Sequence, residues 1–337
     1  MSTTENARQT VYIGTIGGDG LVVAELADVA RGALTVTGAL PELREPSALA
    51  FSADGATLYA VAELAEGRVT AVDVSDPGSP AVWQSQPSLG NAPTHLAVHG
   101  DHLVTAHYGD GTVGVHPLSP DGSVGPRSGG LRHPGPAPHA HQVVGDPSGR
   151  WLLAVDLGVD TVFVHRVTSD GALTEHSRMP LAPGTGPRHL VFHPDGRRVF
   201  VLGEHRPEIT TGYWDPVAGT LNPGPSVGVV GPGAPDPTYP AEISVSPDGR
   251  FLYTSNRGED AIAVLGLDSG VPVLLQSAPT GGAWPRHHAL GPDGTWLYVA
   301  NQHSDSVTWL PRDPATGELG RVAGSVPVRG AAMVSFP

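Results

Sequence analysis

The sequence predicts an all-β fold: a seven-bladed β-propeller, one domain over residues 1–337, closed by pairing of the C-terminal strand into the first blade. Three observations carry this. Residues 187–215 (PRHLVFHPDGRRVFVLGEHRPEITTGYWD) read as three short antiparallel strands with turn residues between them, and versions of that stretch recur along the chain. The 337 residues include 45 Gly and 34 Pro, punctuation too dense for long helices. The turn glycines Gly55, Gly100, Gly149, Gly196, Gly249 and Gly294 stand 45, 49, 47, 53 and 45 residues apart, the length of a four-stranded blade. So few strands cannot bury their own faces, so the units must stack on one another.

Taken in order, residues 11–17 (VYIGTIG), 20–25 and 34–40 (LTVTGAL) form three strands of a first unit that lacks an inner one. Unit two begins near Pro46 (PSALAFSADGATLYAVAEL), unit three at Pro93 (PTHLAVHGDHLVTAHYGDG) and unit four at Pro138 (PHAHQVVGDPSGRWLLAVD). Unit five begins at Pro187, unit six at Pro240 (PAEISVSPDGRFLYTSNRG) and unit seven at Pro285 (PRHHALGPDGTWLYVANQH). Residues 223–240, rich in Gly and Pro, read as a surface loop. Residues 330–336 (GAAMVSF) resemble the inner strands of the other units and are expected to supply the one missing from the first. That pairing closes the ring and removes its free edges. The alternative is a β-sandwich or two smaller β domains. A Trp-Asp repeat propeller is disfavoured, because Trp214-Asp215 does not recur.

Two residue types are missing. Without Cys there is no thiolate nucleophile, disulfide or cysteine–zinc site. All 19 basic residues are Arg, which excludes a lysine Schiff base and the P-loop lysine. A formal charge of −14 argues against nucleic acid as a partner, though a local arginine cluster can still hold a small anion. No apolar run is long enough to span a bilayer and the first residues lack a signal-peptide layout, so no membrane partner and a cytoplasmic location are expected.

Within a blade the first two strands are antiparallel, so the start of the first and the end of the second meet at the face opposite the Asp-Gly turn. Starts supply Thr94, His95, His139, His141, Arg188, His189, Glu242, Arg286 and His287. Ends supply Glu63, His107, Asp156, Glu204, Asn256, Arg257 and Asn301. Ionisable groups therefore converge on one end of the channel. Asp156, Asn256 and Asn301 are expected to close blade ends by bonding loop backbone. Three guanidiniums near a narrow channel, Arg188, Arg257 and Arg286, repel unless a carboxylate or a bound anion answers them, and Glu204 and Glu242 are the carboxylates at hand. His139 and His141 form a His-x-His pair of the kind a metal uses, but no third ligand is evident, so neither metal nor cofactor is expected. Residues 224–228 match G-x-S-x-G without the helix that a nucleophile elbow requires.

These blocks resemble the seven-bladed propeller lactonases, the family of the bacterial propeller-type 6-phosphogluconolactonases and the fungal carboxy-cis,cis-muconate lactonizing enzyme. The resemblance covers essentially the whole chain and is clearest over residues 138–307. It implies a central-channel site that opens or closes a lactone without an established metal requirement. The family's histidine falls on His141, its Pro-Arg arginine on Arg188, its strand-ending glutamate on Glu204 and its Ser-Asn-Arg arginine on Arg257. Gly203 stands where the family often has Asn, and His287-His288 where it has an Asn or Phe stretch.

The expected function is hydrolysis of a small anionic sugar lactone, 6-phosphogluconolactone first. Arg188 and Arg257, helped by Arg286, His139 and Glu242, would bind the substrate, and His141 or Glu204 would activate water. Cycloisomerisation of a carboxylated diene in the same pocket and a non-catalytic binding scaffold are the alternatives. Oligomeric state is left open.

Overall fold

The computed structural model describes residues 9–337. Among them are 28 strands in seven four-stranded antiparallel sheets, with two single turns of 3₁₀ helix at Val29–Arg31 and Gln302–Ser304. The inner strands of consecutive sheets are Leu49–Phe51, Pro93–His99, Ala140–Gly145, Pro187–Phe192, Tyr239–Val245, Pro285–Leu290 and Ala331–Ser335. Each touches the next and the last returns to the first, so the sheets form a closed ring around a channel.

Closure falls where the C-terminal residues resemble an inner strand. Ala331–Ser335 pairs antiparallel with Gln9–Thr15, Ile13 opposite Val334, and completes the blade continued by Leu21–Asp28 and Ala33–Leu40. The blade built on Leu49–Phe51 is numbered two, and the count runs along the chain to seven.

The core is divided among the seven interfaces between blades. One cluster joins Val11, Ile13 and Val334 of blade one to Tyr298 and Trp309 of blade seven; another joins Trp151 and Val164 of blade four to Leu190 and Val201 of blade five. Both faces of every sheet are covered in this way. That is why a second strand such as Thr57–Ala62 (TLYAVA) is buried along its whole length and shows no polar alternation. Long aromatic side chains also cross these interfaces. Tyr59 donates its hydroxyl to Gly122 O of the next blade (2.9 Å), and Trp296 donates its indole N–H to Val29 O of blade one (2.9 Å).

Residues 223–240 are only partly a loop. Thr220–Gly228 is the outer strand of blade five, paired with Glu208–Asp215, and the loop begins after it. The reason is positional: an outer strand has hydrogen-bonded neighbours on one side only, so Pro223 and Pro225, which lack an N–H, are tolerated there. The turns between first and second strands form as expected, the six glycines from Gly55 to Gly294 named above lying at φ between 55° and 73°, the left-handed region in which a side chain would be strained.

Candidate active site

The inner strands share one irregularity. In blades three to seven, the pairing register slips at the start of the inner strand, between Pro93 and His95, Ala140 and Gln142, Pro187 and His189, Pro240 and Ile243, and Pro285 and His287. The extra residues are Thr94, His141, Arg188, Ala241 with Glu242, and Arg286. A bulge leaves one residue out of the ladder and re-aims its side chain. Simple alternation would send Arg188 and His189 to opposite faces; with the bulge, both line one cavity, as do Thr94 with His95 and Arg286 with His287. The cavity measures about 140 Å³ and also touches Gln142 and Glu242.

The arginines are answered by carboxylates. Glu204, at the end of the second strand of blade five, places Oε2 3.1 Å from Arg188 Nε and 2.9 Å from Arg257 Nη2. Arg286 Nη2 lies 3.4 Å from Glu63 Oε2, so Glu63 belongs with the charged cluster as well. Burial pulls the Glu204 pKa up, but Arg257 and Arg188 outweigh it, and the carboxyl is held below its ordinary value. Burial, with Arg257 and Arg286 nearby, pushes Arg188 down to about 9, still cationic at neutral pH. Arg257 is further fixed by donating from Nε to Tyr239 O (3.0 Å) and from Nη2 to Pro240 O (3.2 Å).

Deeper in the channel, Glu242 joins three blades. His189 Nδ1 lies 3.1 Å from both of its oxygens, and His287 Nε2 lies 3.3 Å from Oε2. The other nitrogen of each ring faces a donor: Arg188 Nη1 lies 3.4 Å from His189 Nε2, and the Val334 N–H points at His287 Nδ1 (3.4 Å). Each imidazole therefore carries its proton on the nitrogen facing Glu242 and stays neutral. Burial lowers both pKa values, His287 to about 3. A chain of polar contacts thus runs from Val334 of blade one through His287, Glu242 and His189 to Arg188.

His141 is buried and its ring meets His189 and Tyr108 edge-on, with centroids 5.2 and 5.8 Å apart. Nδ1 has no hydrogen-bond partner. Burial, then the fields of Arg188, His189, Arg286 and Arg257, holds its pKa well below 6.5, so it is a neutral imidazole with a lone pair available. His139 lies just before the bulge, stacked on Tyr108 (4.6 Å) and donating from Nδ1 to Tyr108 O (2.6 Å). Its ring is thus tied to blade three. Among the described residues, no group of three or more His, Asp or Glu side chains has the geometry to hold a metal ion.

Of the residues singled out from sequence, Arg188, Glu204 and Arg257 are joined directly, Glu242 and Arg286 line the cavity with Arg188, His141 packs edge-on against His189, and His139 is held on Tyr108. Asp156 binds the His139 and Gly158 backbone N–H groups and the buried His133 ring, and Asn256 binds Val229 O, the blade-closing work expected of them. His95, His189 and His287, named among the strand starts but given no role, line the same cavity as Arg188, Glu242 and Arg286. Their signal was present in the Thr-His and Arg-His pairs, and only the bulges give it meaning.

The sequence matches the family described as "Lactonase, 7-bladed beta-propeller" over residues 10–336. It is similar to the 6-phosphogluconolactonase of Bacillus subtilis, 30% identical over 96% of this chain and 97% of that one. Among solved structures it is similar to a putative 6-phosphogluconolactonase from Bacteroides fragilis (TM-score 0.91, 27% identity, all of both chains). It is also similar to the periplasmic gluconolactonase of Pseudomonas aeruginosa (TM-score 0.90, 29% identity, 98% of this chain and 99% of that one).

Proposed function

The chain belongs to the seven-bladed β-propeller lactonases, and from that premise we propose that it hydrolyses an anionic sugar lactone, with 6-phosphogluconolactone first among the candidates. The observation that carries the reading is the Arg188–Glu204–Arg257 assembly beside a neutral buried histidine. Guanidiniums supply planar, permanently charged donors for a phosphate and for the oxyanion that forms when water attacks the lactone carbonyl.

His141 is the general base in this reading. The arginines weaken both groups as bases, but Glu204 is committed to two ion pairs, whereas the His141 ring makes none and is neutral. The same arginine field that depresses His141 is partly cancelled when a substrate anion docks on the arginines, so binding raises the basicity of the imidazole. Water loses its proton to His141 as its oxygen bonds to the carbonyl carbon; collapse of the tetrahedral intermediate breaks the ring ester bond and returns that proton to the leaving alkoxide. Glu204 aligns the arginines, Arg286 adds positive charge from blade seven, Glu242 holds His189 against Arg188, and His139 supports Tyr108, which packs on His141. The curated and solved relatives described above carry hydrolase names, which favours hydrolysis over cycloisomerisation.

Hydrolysis of phosphorylated and unphosphorylated lactones by the purified protein, followed by proton release with and without chelator, tests this directly. Turnover of 6-phosphogluconolactone unaffected by chelator is expected; no turnover of any lactone would return the protein to the scaffold reading. We place the reaction in the cytoplasm. Cell fractionation checks that placement, since the similar P. aeruginosa protein is described as periplasmic.

A further inference from the structure

The residue preceding the proline that leads into an inner strand adopts left-handed backbone in four blades: Glu45 (φ 49°), Ala92 (φ 48°), Gly186 (φ 56°) and Trp284 (φ 61°). The conformation recurs in these four blades and is absent before Pro138 and Pro240; glycine is the residue that meets it without strain. Blade five uses glycine. In blade two, Glu45 accepts a hydrogen bond from Gly17 N (2.7 Å), and in blade three a small alanine is present. Blade seven places the bulkiest side chain of all at a position where bulky residues are outliers. Strain of this kind persists where surrounding contacts over-determine it, and here they do. The Trp284 N–H donates to Asp260 Oδ1 (2.8 Å) and its carbonyl accepts from Gln302 N (3.0 Å).

The indole held this way stacks on His303 (centroids 4.7 Å, 10° between planes), and the Arg257 guanidinium carbon sits 5.4 Å from its centroid. Tyr239, whose carbonyl holds Arg257 Nε, also packs against it at 6.2 Å. We infer that Trp284 is a positioning residue for anion recognition, its ring fixing the Arg257 guanidinium and screening it from water so that a phosphate or carboxylate on the substrate meets an oriented, poorly hydrated cation. A cation over an indole face is attracted by the ring quadrupole, more strongly as water is removed. His303 acts as the backing for the indole. The specificity conferred is for the charged substituent of the lactone rather than for its ring. This inference rests on the anion-binding lactonase reading given above.

The test separates backbone strain from ring function. Trp284→Ala and Trp284→Gly both delete the indole and differ by one methyl group at a left-handed position. The Gly variant should melt above the Ala variant, the reverse of the usual order. Both should bind inorganic phosphate more weakly than the unsubstituted protein by the same factor, about two- to thirtyfold, the equivalent of one cation–π contact. Isothermal titration with inorganic phosphate reads this without any assumption about catalysis, and Trp284→Phe should recover most of the affinity. In steady-state assays the loss should appear in KM for the phosphorylated lactone, with KM for the neutral lactone and kcat nearly unchanged. Phosphate affinity unchanged in both variants, or equal losses for charged and neutral lactones, would overturn the inference and leave Trp284 a packing residue. A protein that binds no phosphate even before substitution overturns the anion-binding reading, and the inference with it.

Discussion

Glu204 Oε2 lies 2.9 Å from Arg257 Nη2, in a setting where the carboxylate side chain is 18% exposed and the guanidinium 6%. Such a pair is stable while both partners remain; deleting one leaves the other buried and unanswered.

Replacing Arg257 by Gln should therefore weaken productive binding of a phosphorylated lactone far more than that of its neutral analogue. A hydrogen bond to a charged group is worth about 1.5–3 kcal/mol, so roughly ten- to a hundredfold of selectivity should disappear. The ratio of kcat/KM values for the two substrates measures it. Equal losses for both would remove Arg257 from anion recognition.

Replacing His141 by Asn should lower kcat about a hundredfold or more for charged and neutral lactones alike. The pH profile carries the sign. A base works above its pKa, and burial with the neighbouring arginines holds that of His141 well below 6.5, so kcat/KM should stay high as pH falls through 6. Bound substrate anion offsets the arginines, so the acidic limb of kcat should lie at higher pH than that of kcat/KM. Coincident limbs would argue against this coupling.

Acid should unfold the ring before most carboxylates protonate. Burial holds His165 and His95 at about 3 and His107 and His288 at about 4, all below the unfolded value near 6.5. Between those values the unfolded chain binds more protons than the folded one, so stability is complete above 6.5 and is lost as pH falls toward 4. Melting temperature followed from pH 8 to 4 should decline progressively below 6.5. A flat profile down to 4.5 would show that these rings protonate freely in the folded state.

Removal of residues 330–337 should destabilise the whole ring. It strips the inner strand from Gln9–Thr15 and takes Ala331 and Val334 out of the cluster between blades one and seven. A truncated protein with an unchanged melting temperature would mean that closure contributes nothing.

What the sequence determined by itself was everything that depends on local chemistry and repetition. Short apolar runs, turn glycines at blade spacing, one strand missing from the first unit and one left over at the C-terminus were enough for seven blades and their closure, because each blade restates the same instructions. The end of the channel that collects charge was legible for the same reason: strand starts and neighbouring strand ends must meet. Arg188, Glu204 and Arg257 followed from that, their family blocks reinforcing the reading. The direction of each side chain did not follow. Alternation would have sent Arg188 and His189 to opposite faces and let His139 share a face with His141. The bulges at Arg188 and His141 cancel that rule, and a bulge is a register relation between two strands that neither strand encodes alone. Nor could the sequence give the partners of Glu242, since His189 and His287 reach it from separate blades 53 and 45 residues away. Those contacts exist only after blades five, six and seven have packed together, and the closing strand adds the Val334 N–H that fixes the tautomer of His287.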